Sequence, residues 1–308
     1  MAERRCGAMP FAGCATLRCQ VASGLFSPVI NTYLAKMQPD SPMRAQGQDV
    51  HMTATASSAG LPRRGVVMIA VLYGLLCHLA FVAGVGAMMV VLFSGMTWGL
   101  GRLARPWSWF ADALLLLQFP LLHSALLSKR GGAGLRRLAP SSLGTPLMST
   151  TYALIASVQT GLLFLGWTPV GHVLWQARGA TLVVFEVGYG VAWLLLLKAI
   201  VDAGFALQTG LLGWRAVVRG RPPVYPSMPT RGLFRLIRQP IYVAFALTLW
   251  TVPTITPDGL VVAVILTAYC VIGSIIKEAR FARRFGAAFA RYRAGTPFWF
   301  PLPRRREG

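Results

Sequence analysis

Residues 231–301 read RGLFRLIRQPIYVAFALTLWTVPTITPDGLVVAVILTAYCVIGSIIKEARFARRFGAAFARYRAGTPFWFP, and the fold turns on this stretch. A basic lead-in ends at Arg238-Gln239-Pro240-Ile241-Tyr242. An apolar run over 241–252 follows, then a bend between Pro253 and Pro257, then an uncharged run from Gly259 to Ile276. Pro240 suits the first position of a helix, because its φ is fixed and it has no N–H to leave unpaired. Free backbone N–H groups at such a start form a ready site for an anion such as a carboxylate. Arg238 and Tyr242 stand four apart and can share one side of that start. The run 241–252 is too short to cross a bilayer, which takes about 20 residues. It is therefore expected to be embedded in protein or tilted at one face. The two arms read as a Pro-bent helical hairpin.

The rest of the chain has the composition of a membrane scaffold. Of 308 residues, 55% are hydrophobic and 13% charged, against roughly 25% charged in soluble domains. Four earlier apolar runs, 66–94, 109–127, 148–166 and 180–200, join the two arms of the hairpin. The expectation is an all-α integral membrane bundle of about six helical segments. The net charge of +21 does not imply nucleic acid, because the arginines lie between apolar runs and follow the positive-inside rule. Arg63 and Arg64, the cluster Lys129 to Arg137, and the arginines from Arg215 to Arg238 fall on one side; only Arg102, Arg105 and Arg178 fall on the other. Both ends of the chain are thus expected in the cytoplasm.

Residues 1–62 differ in character. They mix Cys6, Cys14 and Cys19 with Ser, Gly, Pro and Gln, without a sustained apolar period. We read them as a poorly structured extension, with Met52 as a natural start, and 63–308 as the membrane domain. Irregular cysteine spacing with no neighbouring histidine argues against a metal site.

Polar groups inside the spans are candidates for function, since an unpaired one is costly there. His123, beside Ser124, lies near the basic end of the second span. Glu186 is the deepest acid of the scaffold, and pairing with a neighbouring helix is the structural alternative to a substrate or proton site. His78 is read as packing, and Asp112 as a solvated interfacial residue. Beyond Ile276, Phe281, Phe285, Phe289 and Tyr292 recur at helical spacing with Arg280, Arg283, Arg284, Arg291 and Arg293 on the other faces. This is the pattern of an amphipathic interfacial helix, anchored by Phe298, Trp299 and Phe300. Glu278 is a lone acid in this basic tail.

The order Arg-X-Pro-Ile-Tyr at 238–242, a Pro-bent apolar hairpin, an acid at Glu278, then Phe285-Gly286, Tyr292-Arg293 and Pro297 resembles the isoprenylcysteine carboxyl methyltransferase-like superfamily. Within it the chain is most similar to the bacterial methanethiol S-methyltransferases and their relatives. His123-Ser124, Thr151-Tyr152 and the run Trp167, Pro169, Trp175 add to the resemblance, which covers residues 66–301. It implies a methyltransferase of the bacterial inner membrane that uses S-adenosyl-L-methionine, held between the hairpin and the C-terminal helix in region 231–301. The acceptor it implies is a small thiol or another lipophilic molecule arriving from the bilayer, with no metal. It places Arg238, Gln239, Pro240, Tyr242, Glu278 and Tyr292 at the cofactor, Glu278 and Arg238 at the chemistry, and His123 and Glu186 on the substrate side. The family histidine before the proline is Gln239 here, and the first acid of its Glu-Glu pair is Lys277. Those two changes leave a second reading open, a membrane protein that keeps the scaffold without the chemistry. A transporter, resting on Glu186 and His123 alone, lacks the inverted repeat expected of that class.

Overall fold

A computed structural model describes residues 63–140 and 143–301. The extension, the start at Met52 and the three early cysteines lie outside the described residues. Among those described, five helices are long and apolar enough to cross a membrane. They are α1 (Arg63–Phe93), α2 (Trp107–Leu126), α4 (Gly144–Gly166), α5 (Ala180–Asp202) and α9 (Pro257–Phe285). The sixth segment, α8 (Pro240–Trp250), has 11 residues and is embedded, burying Pro240, Ala244, Ala246, Thr248 and Leu249. The expected hairpin is α8 and α9.

Small residues and side-chain hydrogen bonds hold the bundle together, because lipid tails remove most of the hydrophobic incentive for helices to associate. The main crossing is α1 on α4. A Cβ on Gly84 would stand 2.3 Å from the Ser157 carbonyl oxygen, so the two backbones meet there. Gln118 of α2 and Gln159 of α4 exchange hydrogen bonds, Nε2 of each donating to the other's carbonyl at 3.0 and 3.1 Å. His78 packs edge-on against Trp214, its Nε2 accepting the indole N–H at 3.1 Å.

Three shorter helices were not read from the sequence. The basic cluster after the second apolar run folds as α3 (Lys129–Leu138), begun by Ser128 accepting from Gly131 N–H at 3.0 Å. The segment after α5 folds as α6 (Phe205–Gln208) and α7 (Leu211–Arg219). The start of α7 is held by Thr150 Oγ1, which donates to the Gly210 carbonyl at 2.7 Å and accepts from Trp214 N–H at 3.1 Å.

At the bend of the hairpin, β2 (Thr254–Ile255) pairs antiparallel with β1 (Trp175–Gln176). Thr256 caps α9 by accepting from Gly259 N–H at 2.9 Å. Asp112 is buried rather than solvated, accepting from Thr168 N–H at 3.0 Å, and Asp258 accepts from Val170 N–H at 2.8 Å. These short side chains satisfy loop N–H groups that would otherwise be buried unpaired.

The crossing predicts opposite outcomes for two glycines. Gly84→Leu forces the helices apart and lowers the detergent-solubilised protein's midpoint of thermal unfolding by several degrees, a cost of about 2 kcal/mol or more. Gly161→Ala, whose Cβ meets only the Gly84 Cα at 3.6 Å, leaves the midpoint within about a degree of wild type.

Candidate functional site

The polar residues of the closing stretch gather where α8 begins and α9 ends. Arg238 precedes α8, and its guanidinium lies against Glu278 of α9, with Nε donating to Oε1 at 2.6 Å and Nη2 to Oε2 at 3.3 Å. Its Nη1 donates to the Thr296 carbonyl and to that of Arg293 at 3.3 Å, and its backbone N–H to the Pro297 carbonyl at 2.9 Å. One residue therefore joins the hairpin's two arms to the segment that follows the last helix, α10 (Ala287–Gly295). The carboxylate at this helix start is the protein's own Glu278, which Arg238 holds in a two-point contact. Glu278 Oε1 also accepts from Gln239 Nε2 at 3.0 Å, which leaves Oε2 the less engaged oxygen.

Gln239 is buried, and its Oε1 accepts from Lys277 Nζ at 3.2 Å. The two departures from the family pattern are thus hydrogen-bonded to each other. Where the resembled family has a histidine and an acid, an amide acceptor and an ammonium donor stand. Lys277 Nζ also lies over three rings, at 5.4 Å from the centroid of Phe234, 5.6 Å from Tyr242 and 5.3 Å from Phe281. This is an aromatic box around a cation.

The aromatic tail folds in two pieces. α9 continues to Phe285 and breaks at Gly286, whose φ of 49° is one that glycine adopts without strain. α10 then returns, with Phe289 buried and its ring 6.0 Å from Phe281. Arg283, Arg284, Arg291 and Arg293 remain exposed. Tyr292 donates its hydroxyl to the Phe234 carbonyl at 2.7 Å. Burial pushes its phenol up to about 12, with Arg238 opposing that shift and Glu278 adding to it.

Two candidate residues fall elsewhere. His123 of α2 shares its Nε2 with the Tyr152 hydroxyl of α4 at 2.6 Å. Its ring stacks on Phe119, whose own ring meets Tyr269 of α9 edge-on at 6.1 Å. Arg280, two residues past Glu278, is a charge neighbour of His123, Tyr152, Tyr242 and Tyr269. The structure therefore brings His123 beside the same end of α9. It does not bring Glu186 there. Glu186 is exposed on the outer face of α5, six residues into a helix that reaches the site only at its other end, so it neither pairs within the bundle nor meets the rest of the set.

Between α9 and α10 lies an open groove of about 370 Å³, lined by Ala282, Gly286, Phe289, Ala290, Arg293 and Ala294. Ala282 is one turn beyond Glu278 on the same face. The volume is within the usual range for a small-molecule site, roughly 300–1,000 Å³. Its walls are small and apolar apart from the exposed Arg293 guanidinium, which suits a carboxylate, and Glu278 stands one turn back along α9, outside the lining.

Over 253 residues the chain is 26% identical to the methanethiol S-methyltransferase of Pseudomonas sp. (strain GM41(2012)), covering 77% of this chain and 92% of that protein. Against the methanethiol S-methyltransferase of Pseudomonas deceptionensis it is 28% identical over 272 residues, or 83% and 98% of the two chains. The chain is similar to methanethiol S-methyltransferases over nearly their whole length. That is the branch its motifs resemble. It is also 31% identical over 173 residues to Nurim of Homo sapiens, covering 53% of this chain and 63% of that protein. No family model matches the chain, and no solved structure matches it.

The geometry makes two predictions. Tyr292→Phe costs about 1 kcal/mol at neutral pH for one lost hydrogen bond. A phenol raised on folding stabilises below its ordinary value of 10 and loses that contribution as pH rises toward about 12, so the variant loses less stability than wild type across that window in detergent unfolding. Gln239→His and Lys277→Glu each lower the unfolding midpoint alone, and the double variant recovers part of the loss. A double-mutant cycle then gives a coupling of about 1 kcal/mol, and strict additivity would contradict the pairing.

Proposed function

We propose that the chain is a multi-pass methyltransferase of the bacterial inner membrane that moves a methyl group from S-adenosyl-L-methionine to a small thiol, or to another lipophilic acceptor. The site end of α9 and both chain termini face the cytoplasm, on the argument of loop charge. The observation that carries the reading is the groove beside Glu278, in a chain similar to methanethiol S-methyltransferases over nearly their whole length.

The cofactor, when bound, supplies a methyl group on a positively charged sulfur that is ready for displacement. The protein's part is to position and to exclude water. Glu278 Oε2 suits an ammonium or ribose hydroxyl, and Arg293 suits a carboxylate. Arg238 and Gln239 hold Glu278 in place, and Pro240 fixes the turn that presents them. Tyr242 walls the side nearest Gly273, where an added Cβ would meet its ring at 3.3 Å. Tyr292 holds α10 against Phe234 and so closes the groove's far wall. His123 serves the acceptor side.

One observation favours the second reading, a scaffold without chemistry: Arg238, Glu278, Gln239 and Lys277 satisfy one another without a ligand. Calorimetry with S-adenosylhomocysteine on the purified full chain separates the two. The methyltransferase reading expects saturable binding, weakened about tenfold or more by Glu278→Gln, and transfer of a labelled methyl group to methanethiol. Absence of binding by folded wild type would establish the scaffold.

A further inference from the structure

His123 presents a group that the fold leaves unused. Its Nε2 is engaged with Tyr152, but Nδ1 is fully buried and has no hydrogen-bond partner. A buried polar atom without a partner costs about 1–3 kcal/mol unless something else binds it. Phe119 stacks on the ring and fixes its plane, and Tyr152 fixes its rotation, so Nδ1 points to one place. Tyr152 comes from α4, Tyr269 and Arg280 from α9, and Ser124 from α2 itself. Of these neighbours only Arg280 carries a full charge; a cation there favours an anion and disfavours a protonated ring, so Nδ1 holds the proton only while the thiolate pairs with Arg280.

We propose that His123 Nδ1 is the proton acceptor for the thiol, a role that rests on the methyltransferase reading above. A thiol is a weak nucleophile until its proton leaves. With Nε2–H donating to the Tyr152 oxygen, Nδ1 offers a lone pair. That tautomer leaves an acceptor rather than a donor unpaired, which buried groups tolerate better. In the step, the S–H bond breaks and its proton goes to Nδ1. The freed sulfur pair forms the bond to the methyl carbon. The bond from that carbon to the positive sulfur breaks, and its electrons stay with the departing thioether. The positive charge that began on the donor sulfur ends on the imidazole, so charge and atoms balance. Arg280 stabilises the thiolate as it forms. Tyr152 is a positioning residue, acting through the ring it orients.

The test compares two acceptors that differ in how far they are ionised. At about pH 8 ethanethiol is mostly protonated, whereas thiophenol is mostly thiolate and needs no base. His123→Gln should lower kcat/KM for ethanethiol by roughly 10²–10⁴-fold, the usual contribution of a positioned base, and for thiophenol by about tenfold or less. Tyr152→Phe should show the same preference with a smaller loss. Affinity for S-adenosylhomocysteine should be unchanged in both variants, which shows that they are folded and that the cofactor region is intact. Equal losses with the two thiols would overturn the histidine's role and leave the methyltransferase reading standing. Wild type that methylates neither thiol would overturn the histidine's role, and wild type that also fails to bind S-adenosylhomocysteine would overturn the methyltransferase reading with it.

Discussion

A guanidinium near a bilayer cannot be left partly satisfied, and the closing stretch is arranged around that constraint. Arg238 meets it with Glu278 on α9 and with the carbonyls of Arg293 and Thr296, so three pieces of chain are fixed relative to one another by one side chain. Breaking such a pair would strand a buried charge, which costs more than the intact pair contributes. The consequence for function is orientation. Glu278 is held with one oxygen committed and the other less engaged, beside a groove whose walls are α9 and the returning α10.

The bundle that carries this end was legible, because length and hydropathy decide what can cross a bilayer. So was the embedded α8, whose brevity admits few alternatives. The short helices α3 and α7 were not. The apolar residues of α3 are few and those of α7 fill only a nine-residue stretch; what starts each is a hydroxyl, Ser128 accepting from Gly131 N–H in one case and Thr150, sixty residues away in sequence, donating to the Gly210 carbonyl in the other. A single hydroxyl at long range leaves little pattern in sequence. Asp112 was misread for the same reason, since its partner is a backbone N–H in a loop that follows a different helix.

Of the candidate residues, the sequence grouped correctly those that α8 and α9 deliver by adjacency, and placed His123 near the same end. It misplaced Glu186. Depth along a helix is readable from sequence, but the side a residue faces requires knowing where the neighbours are, and α5 carries apolar residues all round. The link between Gln239 and Lys277 was also hidden. Each change taken singly looks like damage; together they are a hydrogen bond.

That bond has a historical implication. A contact that keeps its place while exchanging donor for acceptor has no good halfway state. Histidine facing lysine would have to stay neutral and give its one acceptor nitrogen to the ammonium, a protonated ring setting two cations against each other, and glutamine facing glutamate would set acceptor against acceptor unless the amide turned away from Glu278. A lineage that crossed from one arrangement to the other had to do so through a poorer intermediate, and reversion meets the same barrier. Gln239 and Lys277 are therefore expected to be inherited as a unit, so that among descendants of this chain the identity of either residue foretells the other.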